Sequence, residues 1–158
     1  MFEKKPIQSA GWIIYYIDRD GKPRFLLIKR FALSKKVERV APKGKIQWTE
    51  RAEETAMREI CEETWIKRDD ILMKQWVWDI VLSLHSQERW NLDKEISYFL
   101  VQYIWNPKSV NIWAYEWYLW QYKWATIEEV LRLVIYQNLR EVFKAWYDIV
   151  CKKNVKKK

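Results

Sequence analysis

Apolar residues near the start of the chain form two short segments with a polar turn between them. Ala10–Ile17 is apolar, β-branched or aromatic, which predicts a β-strand. Asp18–Gly21 has the composition of a turn, and Phe25–Lys29 resumes the apolar pattern, so together they predict a β-hairpin. We interpret Ser34–Lys45 as a basic loop, because proline and glycine within it break regular structure.

The middle of the chain changes to helical spacing. From Glu50 to Thr64 the apolar residues recur at helical intervals among good helix formers, which predicts an α-helix. Thr49 immediately before it predicts the N-cap, since a threonine hydroxyl can accept a hydrogen bond from a free amide of the first turn.

Two strands and a helical segment complete the predicted architecture. Ile71–Leu84 and Glu95–Ile104 are rich in β-branched and aromatic residues, which is typical of strands. Thr126 predicts a second N-cap, and apolar residues at helical spacing to about Val150 predict one long helix or two short ones. This order of elements predicts an α/β sandwich in which helices flank a mixed β-sheet.

Length and charge indicate one domain with a basic end. A chain of 158 residues suits a single hydrophobic core, and we predict the domain over residues 1–151. The net charge is +8, but residues 152–158 carry five lysines and no acid, and we interpret them as a disordered tail. Such a tail predicts only weak, salt-dependent attraction to RNA or polyphosphate.

The cellular compartment is inferred from what the sequence lacks. The apolar run Trp12–Ile17 is too short to span a bilayer, and nothing at the N-terminus resembles a secretory signal peptide. Cys61 and Cys151 have no metal-ligand spacing, and Cys61 is interpreted as a small buried residue of the helix. We expect a reduced, cytoplasmic protein without a membrane partner.

Three acidic residues of the predicted helix share one face. Glu59, Glu62 and Glu63 are spaced i, i+3 and i+4, so their carboxylates repel one another. Either this is a solvated acidic face, or the three carboxylates bind a hard divalent cation such as Mg²⁺, which prefers oxygen ligands. Arg58 is expected on a different face, where a charge-assisted bond to Glu50 would fix the preceding loop to the helix.

The segment from Gly44 to Ile66 resembles the motif of the Nudix hydrolase family. The motif is G-x5-E-x7-R-E-U-x-E-E-x-G-U, with U apolar, and only Trp65 departs from it. The resemblance implies the Nudix α/β/α sandwich, a Mg²⁺ site in which Mn²⁺ can substitute, and the Gly44 carbonyl as a metal ligand. It also implies a nucleotide substrate with a pyrophosphate bond, attacked by a water molecule that Glu62 or Glu63 deprotonates.

Weaker motifs outside this segment resemble the diadenosine-tetraphosphate hydrolase branch of the family. Ala41–Gly44 and Tyr122–Trp124 are two of them, and Glu116 is a candidate base outside the motif. Lys43 and Lys45 are candidates to contact substrate phosphates. Tyr98 and Tyr122 are candidates to stack on adenine, and the alternative for either tyrosine is packing in the core. The alternatives are an RNA 5′-pyrophosphohydrolase, a general nucleoside-triphosphate or nucleotide-sugar pyrophosphatase, and a Nudix-fold binding module with impaired catalysis.

Twelve tryptophans accompany only three glycines, whereas average usage predicts roughly 11 glycines. Trp48, Trp90 and Trp105 have polar, turn-like neighbours. We hypothesise that many tryptophans, Trp65 included, stand where an ancestral sequence has glycine, through a stop codon that the source reads as glycine. The alternative is a tryptophan-rich protein with aromatic surface patches, and Trp124 is expected to be a genuine tryptophan.

Trp65 falls where a glycine would end the helix in the left-handed conformation. Tryptophan in that conformation costs about 1–2 kcal/mol, so we expect either this strain or a helix that overruns or bends. Trp65→Gly is accordingly predicted to raise stability and activity.

Overall fold

The computed structural model describes residues 7–31, 36–47, 49–73, 81–85, 93–110 and 118–155. Within these ranges there are eight strands and three α-helices. The strands are β1 (Ile7–Ile17), β2 (Pro23–Phe31), β3 (Val37–Val40), β4 (Lys43–Lys45), β5 (Ile71–Met73), β6 (Val81–His85), β7 (Asp93–Tyr103) and β8 (Tyr118–Ala125). The helices are α1 (Ala52–Thr64), α2 (Ile127–Leu133) and α3 (Gln137–Val155).

The predicted hairpin is confirmed, and its turn is closed by an aspartate. The Asp18 carboxylate accepts hydrogen bonds of 2.9 Å from the amides of Asp20 and Lys22. Gly21 has a φ of 77°, which an L-amino acid adopts only with strain. Burial then fixes the register, because the alternate residues of β1 and β2 enter two different cores.

The strands form a mixed sheet, as predicted. Its order is β3-β2-β1-β7-β5, with β4 also paired to β1, β6 to β7 and β8 to β2. The long β1–β7 pair is parallel, and every other described pair is antiparallel. The two strands that open the chain therefore lie at the centre of the sheet rather than at its edge.

Each face of the sheet packs against helices. On one face Trp12, Ile14 and Phe99 pack with Ala56 and Ile60 of α1. On the other, Phe25 and Leu27 belong to the core that includes residues of α2 and α3. The predicted α/β/α sandwich is thus confirmed, and α1, which carries the acidic residues, is the one α-helix on its side within the described ranges.

The predicted basic loop Ser34–Lys45 is wrong in part, because it contains β3 and β4. β3 pairs with β2 and β4 pairs with β1, so the segment joins both strands of the N-terminal hairpin. The Pro42 carbonyl between them accepts a hydrogen bond of 3.0 Å from the Trp12 amide. Pro42 separates the two strands, whereas Gly44 lies in the middle of β4 and pairs with Ala10.

Several predicted boundaries change. α1 begins at Ala52 with Arg51 at the N-cap position and no side-chain cap, so Thr49 does not cap it. Thr126 does cap α2, in a reciprocal capping box with Glu129. The predicted strand Ile71–Leu84 is divided between β5 and β6, with residues 74–80 outside the described part.

The C-terminal segment forms two helices, α2 and α3, rather than one. α3 continues through Val155 and so enters the segment 152–158 that was predicted to be disordered. Among the described residues, no helix is both long and apolar enough to cross a membrane.

Candidate functional site

The candidate site lies where the start of α1 meets β4. α1 is fixed on the sheet by Ala56 and Ile60, which are fully buried against β1 and β7 residues. Because residues i and i+3 of a helix lie on the same side, burying Ala56 also turns Glu59 inward toward β4. Glu59 is only 7% exposed, which is rare for a carboxylate unless it has partners.

Gly44 and Glu59 are packed so closely that no side chain fits at position 44. A Cβ atom built on Gly44 would lie 2.0 Å from both Cδ and Oε1 of Glu59. Glycine is therefore required by close approach, since its φ is not in the left-handed region. The Glu59 carboxylate therefore lies directly against the backbone of β4 at Gly44.

Arg58 binds the acidic residues around it. Its Nε and one terminal nitrogen donate to the two oxygens of Glu50 at 3.0 and 3.1 Å, so the predicted bond between them is present and is bidentate. The same terminal nitrogen also donates to the Lys45 carbonyl at 3.3 Å. These bonds fix the loop that follows β4 to α1.

The expectation that Arg58 points away from the other acids is wrong. Its second terminal nitrogen donates to Glu59 at 2.9 Å and to Glu62 at 3.3 Å. Glu62 follows Arg58 at i+4, a spacing at which helical side chains meet, whereas Glu59 is the next residue and is reached because the arginine side chain is long. Arg58 therefore neutralises part of the repulsion between Glu59 and Glu62.

Charge pairing alters the acidity of both main partners. The Arg58 hydrogen bonds hold the pKa of Glu50 below its usual value, and the Glu50 carboxylate raises the pKa of Arg58. The charged forms of Glu50 and Arg58 are thus favoured.

Cys61, which was predicted to be a small buried residue, is half-buried, and its burial raises the pKa of its thiol.

The oxygen atoms gathered here fit a divalent cation that keeps part of its hydration shell. Glu59, Glu62 and the Gly44 backbone supply oxygen donors only, and two of the carboxylates already converge on one cationic nitrogen of Arg58. Among the described side chains, no three acidic, histidine or cysteine groups form a closed metal cage. Mg²⁺ characteristically binds through one or two carboxylates together with waters and substrate phosphates.

Trp65 ends α1 in the left-handed conformation. Its φ and ψ are 59° and 15°, and it is the one non-glycine residue with positive φ in the described part of the chain. Its amide donates to the Cys61 carbonyl at 3.2 Å, and its side chain is 53% exposed. The helix therefore neither overruns nor bends at this point, and the strained alternative is the one observed.

The other predicted site residues lie at several places. Lys43 and Lys45 flank Gly44 on β4 and are partly or fully exposed. Tyr98 is only 2% exposed, in the core opposite α1, so its ring offers no face to a substrate and the predicted stacking role is wrong. The Glu63 side chain and the whole of Glu116 lie outside the described part of the structure.

Tyr122 is half-buried on the α1 side of the sheet. Its hydroxyl donates weakly to the Pro107 and Lys108 carbonyls, at 3.4 and 3.5 Å. Beside it the Trp124 indole donates to Pro107 at 2.8 Å and stacks on Tyr103 with ring centroids 5.8 Å apart. A tryptophan at 124 thus makes contacts that glycine could not make.

Sequence analysis missed the contribution of Gly11 to this site. A Cβ atom at Gly11 would lie 2.4 Å from the Pro42 carbonyl oxygen and 2.8 Å from the Lys43 Cβ. A glycine inside an otherwise apolar strand is the signal that could have indicated this close approach.

Comparison with known proteins agrees with this geometry. The family model of the Nudix domain matches residues 8–146. A C. elegans Ap4A hydrolase, solved as a binary complex, is 21% identical with a TM-score of 0.75, over 92% of this chain and 98% of that chain. The E. coli dihydroneopterin triphosphate pyrophosphohydrolase is 18% identical with a TM-score of 0.70, over 91% of this chain and 98% of that one.

The Nudix domain of Shewanella oneidensis NrtR, complexed with ADP ribose, is 14% identical with a TM-score of 0.69. That match covers 97% of this chain and 90% of that one. No curated protein matches the chain. The solved structures support the fold, and the family model covers most of the sequence. The chain therefore belongs to the Nudix family, and the predictions of the Nudix fold and of an enzyme of the Nudix hydrolase class are confirmed.

Proposed function

We propose that this protein hydrolyses a pyrophosphate bond of a nucleotide with Mg²⁺, for which Mn²⁺ can substitute. The observation that carries the proposal is the close packing of Gly44 against Glu59, beside a Glu62 carboxylate held by the same arginine. A cation bound there neutralises charge on the substrate phosphates and makes phosphorus more open to attack by water. Gly44, Glu59, Glu62 and Glu63 are the residues proposed to hold it.

The remaining residues of the site are proposed to position the carboxylates and the substrate phosphates, and to remove a proton from the attacking water. Arg58 holds the Glu59 and Glu62 carboxylates by hydrogen bonds, and Glu50 holds Arg58 in place. Lys43 and Lys45 extend from the strand that carries Gly44 and are proposed to attract substrate phosphates. The general base is proposed to be Glu62 or Glu63, with Glu116 as the candidate from outside the motif.

Dinucleoside polyphosphates are the proposed substrate class. The proposal draws on the similarity in fold to the C. elegans Ap4A hydrolase over nearly the full length of both chains. Tyr122 keeps part of its ring accessible on the α1 side, which favours it as the residue that contacts a base.

Nucleotide sugars are the second candidate class. The NrtR Nudix domain, which has the same fold, binds ADP ribose. That similarity also keeps the non-catalytic binding module as an alternative. Hydrolysis of RNA 5′-triphosphate ends is a third candidate, through the lysines that follow residue 151. We place the protein in the cytoplasm as part of this proposal.

A substrate panel with matched variants tests the function. The protein is incubated with Mg²⁺ and, separately, a dinucleoside tetraphosphate, a nucleoside triphosphate, ADP ribose and 5′-triphosphorylated RNA. Glu62→Gln is compared with Glu53→Gln, which makes the same chemical change at an exposed position of the same helix. We expect the tetraphosphate to be cleaved fastest, with loss of cleavage in Glu62→Gln alone.

The outcomes separate the alternatives. No cleavage of any member of the panel would support the binding module and contradict the proposed enzyme. Equal activity in Glu62→Gln and the unmodified chain would contradict the proposed metal site.

A further inference from the structure

A cavity of about 230 Å³ lies between β2, β3 and β8 and is lined mainly by basic residues. Its walls are Leu27 and Lys29 of β2, Arg39 of β3, and Tyr122 and Lys123 of β8. Of its walls, only Tyr122 also belongs to the proposed active site. Leu27 belongs to the core that packs against α2 and α3, whereas Gly44 and Glu59 meet on the side of α1. The proposed pyrophosphohydrolase site uses none of the three cations.

Strand pairing forces these three cations together. Lys29 and Arg39 are directly opposite one another in the β2–β3 register, and Lys123 is opposite Leu27 in the β2–β8 register. Directly opposed residues such as Lys29 and Arg39 have Cβ atoms about 4.5–5.5 Å apart. The β2–β8 register shifts between Ile28 and Arg30, so the regular diagonal spacing does not apply to Lys29 and Lys123. Like charges directly opposite one another are destabilising in a sheet, and an anion bound between Lys29 and Arg39 would contact both of them.

One neighbouring carboxylate reduces this charge in part. The Lys123 ammonium lies 2.5 Å from Glu129 of α2, and Arg24 lies 3.9 Å from the same carboxylate. Glu129 also closes the capping box of α2, so its position is fixed by the helix. The cavity therefore combines a guanidinium suited to bidentate binding of phosphate oxygens with two ammonium groups, one of which is paired with Glu129.

We propose that this cavity binds the phosphate or diphosphate group of a small anion, independently of the metal at α1. Its volume is several times the roughly 30 Å³ that a water molecule occupies in the liquid. It is also below the roughly 300–1,000 Å³ typical of sites that enclose a whole drug-sized ligand. The cavity therefore accommodates a phosphate or diphosphate group and leaves any attached nucleoside outside.

Binding without metal tests the proposal. Inorganic pyrophosphate is titrated into the full chain in EDTA by calorimetry, so that binding through Mg²⁺ at α1 is removed. Inorganic phosphate and AMP are titrated in parallel, to distinguish a free anion from the phosphate of a nucleotide. We expect one saturable site, and in Arg39→Gln a dissociation constant raised at least about tenfold, as expected when a hydrogen bond between charged groups is lost.

Two variants serve as controls for a double variant of the cavity. Lys29→Gln with Arg39→Gln is compared with Arg132→Gln with Lys144→Gln, which removes the same charge from exposed positions on α2 and α3. Glu59→Gln is expected to bind pyrophosphate as the unmodified chain does, because it changes only the α1 site. Far-UV circular dichroism checks folding, and Lys123→Gln replaces any β2 or β3 variant that fails to fold.

Absence of saturable binding in the unmodified chain would overturn the proposal. Equal weakening in the paired control would also overturn it, because it would attribute binding to overall charge. Loss of binding in Glu59→Gln would assign the anion to the α1 site instead.

Discussion

The left-handed conformation of Trp65 predicts an unusual order of stability between glycine and alanine. At most positions alanine is the more stabilising of the two, since glycine loses more backbone freedom on folding. At a φ of 59° an L-residue pays about 1–2 kcal/mol that glycine avoids. We therefore expect Trp65→Gly to be more stable than Trp65→Ala by about 1 kcal/mol.

Both variants lose the same indole ring, so their comparison isolates the backbone. The ring is 53% exposed, and its buried half corresponds to about 100 Å² of apolar surface, or about 2–3 kcal/mol. This loss offsets the relief of strain, so the rise in stability first expected for Trp65→Gly against the unmodified chain does not follow. Only the difference between the two variants measures the strain.

Urea unfolding followed by circular dichroism measures that difference, provided the two variants share one m-value. Lys67 supplies the control, because it is exposed and has an ordinary φ of −83°. At this position Lys67→Ala should be more stable than Lys67→Gly by about 0.5–1 kcal/mol. If alanine is also equal or superior at position 65, the strain argument is refuted.

Two further predictions concern Gly44 on β4 and Glu50 in the loop that follows it. Gly44→Ala forces a Cβ against the Glu59 carboxylate, and we expect it to lower the free energy of unfolding by about 1–3 kcal/mol and to weaken Mg²⁺-dependent hydrolysis. Gly21→Ala is the control, because its Cβ would have no atom within 4 Å but its φ is +77°. We expect it to lower the free energy of unfolding by about 1–2 kcal/mol and to leave hydrolysis unchanged. Equal loss of hydrolysis in Gly44→Ala and Gly21→Ala would contradict a local effect at Gly44. The pKa of Glu50 is lowered on folding by Arg58, so its stabilising effect is complete above the unfolded pKa of about 4.3 and is lost as pH falls through the lower folded value. Urea unfolding of Glu50→Gln should therefore show a deficit at neutral pH that closes in acid, and a deficit independent of pH would contradict the ion pair.

The motif and its periodicity were sufficient to predict the helix, the central hairpin and the mixed sheet. Helical spacing placed Glu59 and Glu62 on one face of α1, and eight residues of separation correctly paired Glu50 with Arg58. Helix geometry determines the shared face of Glu59 and Glu62, whereas Glu50 lies before α1 and meets Arg58 through the short loop that precedes the helix.

What the sequence did not reveal depends on contacts between distant strands. β3 and β4 are short, and only their pairing with β2 and β1 makes them strands. Tyr98 was a candidate binding residue, but its side chain belongs to the core that packs against α2 and α3. That placement depends on the β1–β7 register, which the sequence does not show. The cluster of Lys29, Arg39 and Lys123 likewise exists only through strand register.

Because of the close contact at Gly11, a mutation in β1 can disturb the candidate site. Gly11 lies opposite Lys43, and the neighbouring pair of the β1–β4 ladder is Ala10 with Gly44. Gly11 and Gly44 are therefore diagonal neighbours across this ladder. A side chain at position 11 would displace the Pro42 carbonyl, and with it the strand that carries Gly44. In a saturation mutagenesis screen for catalysis, position 11 would therefore tolerate as little variation as the acidic residues, although no substrate atom need ever touch it.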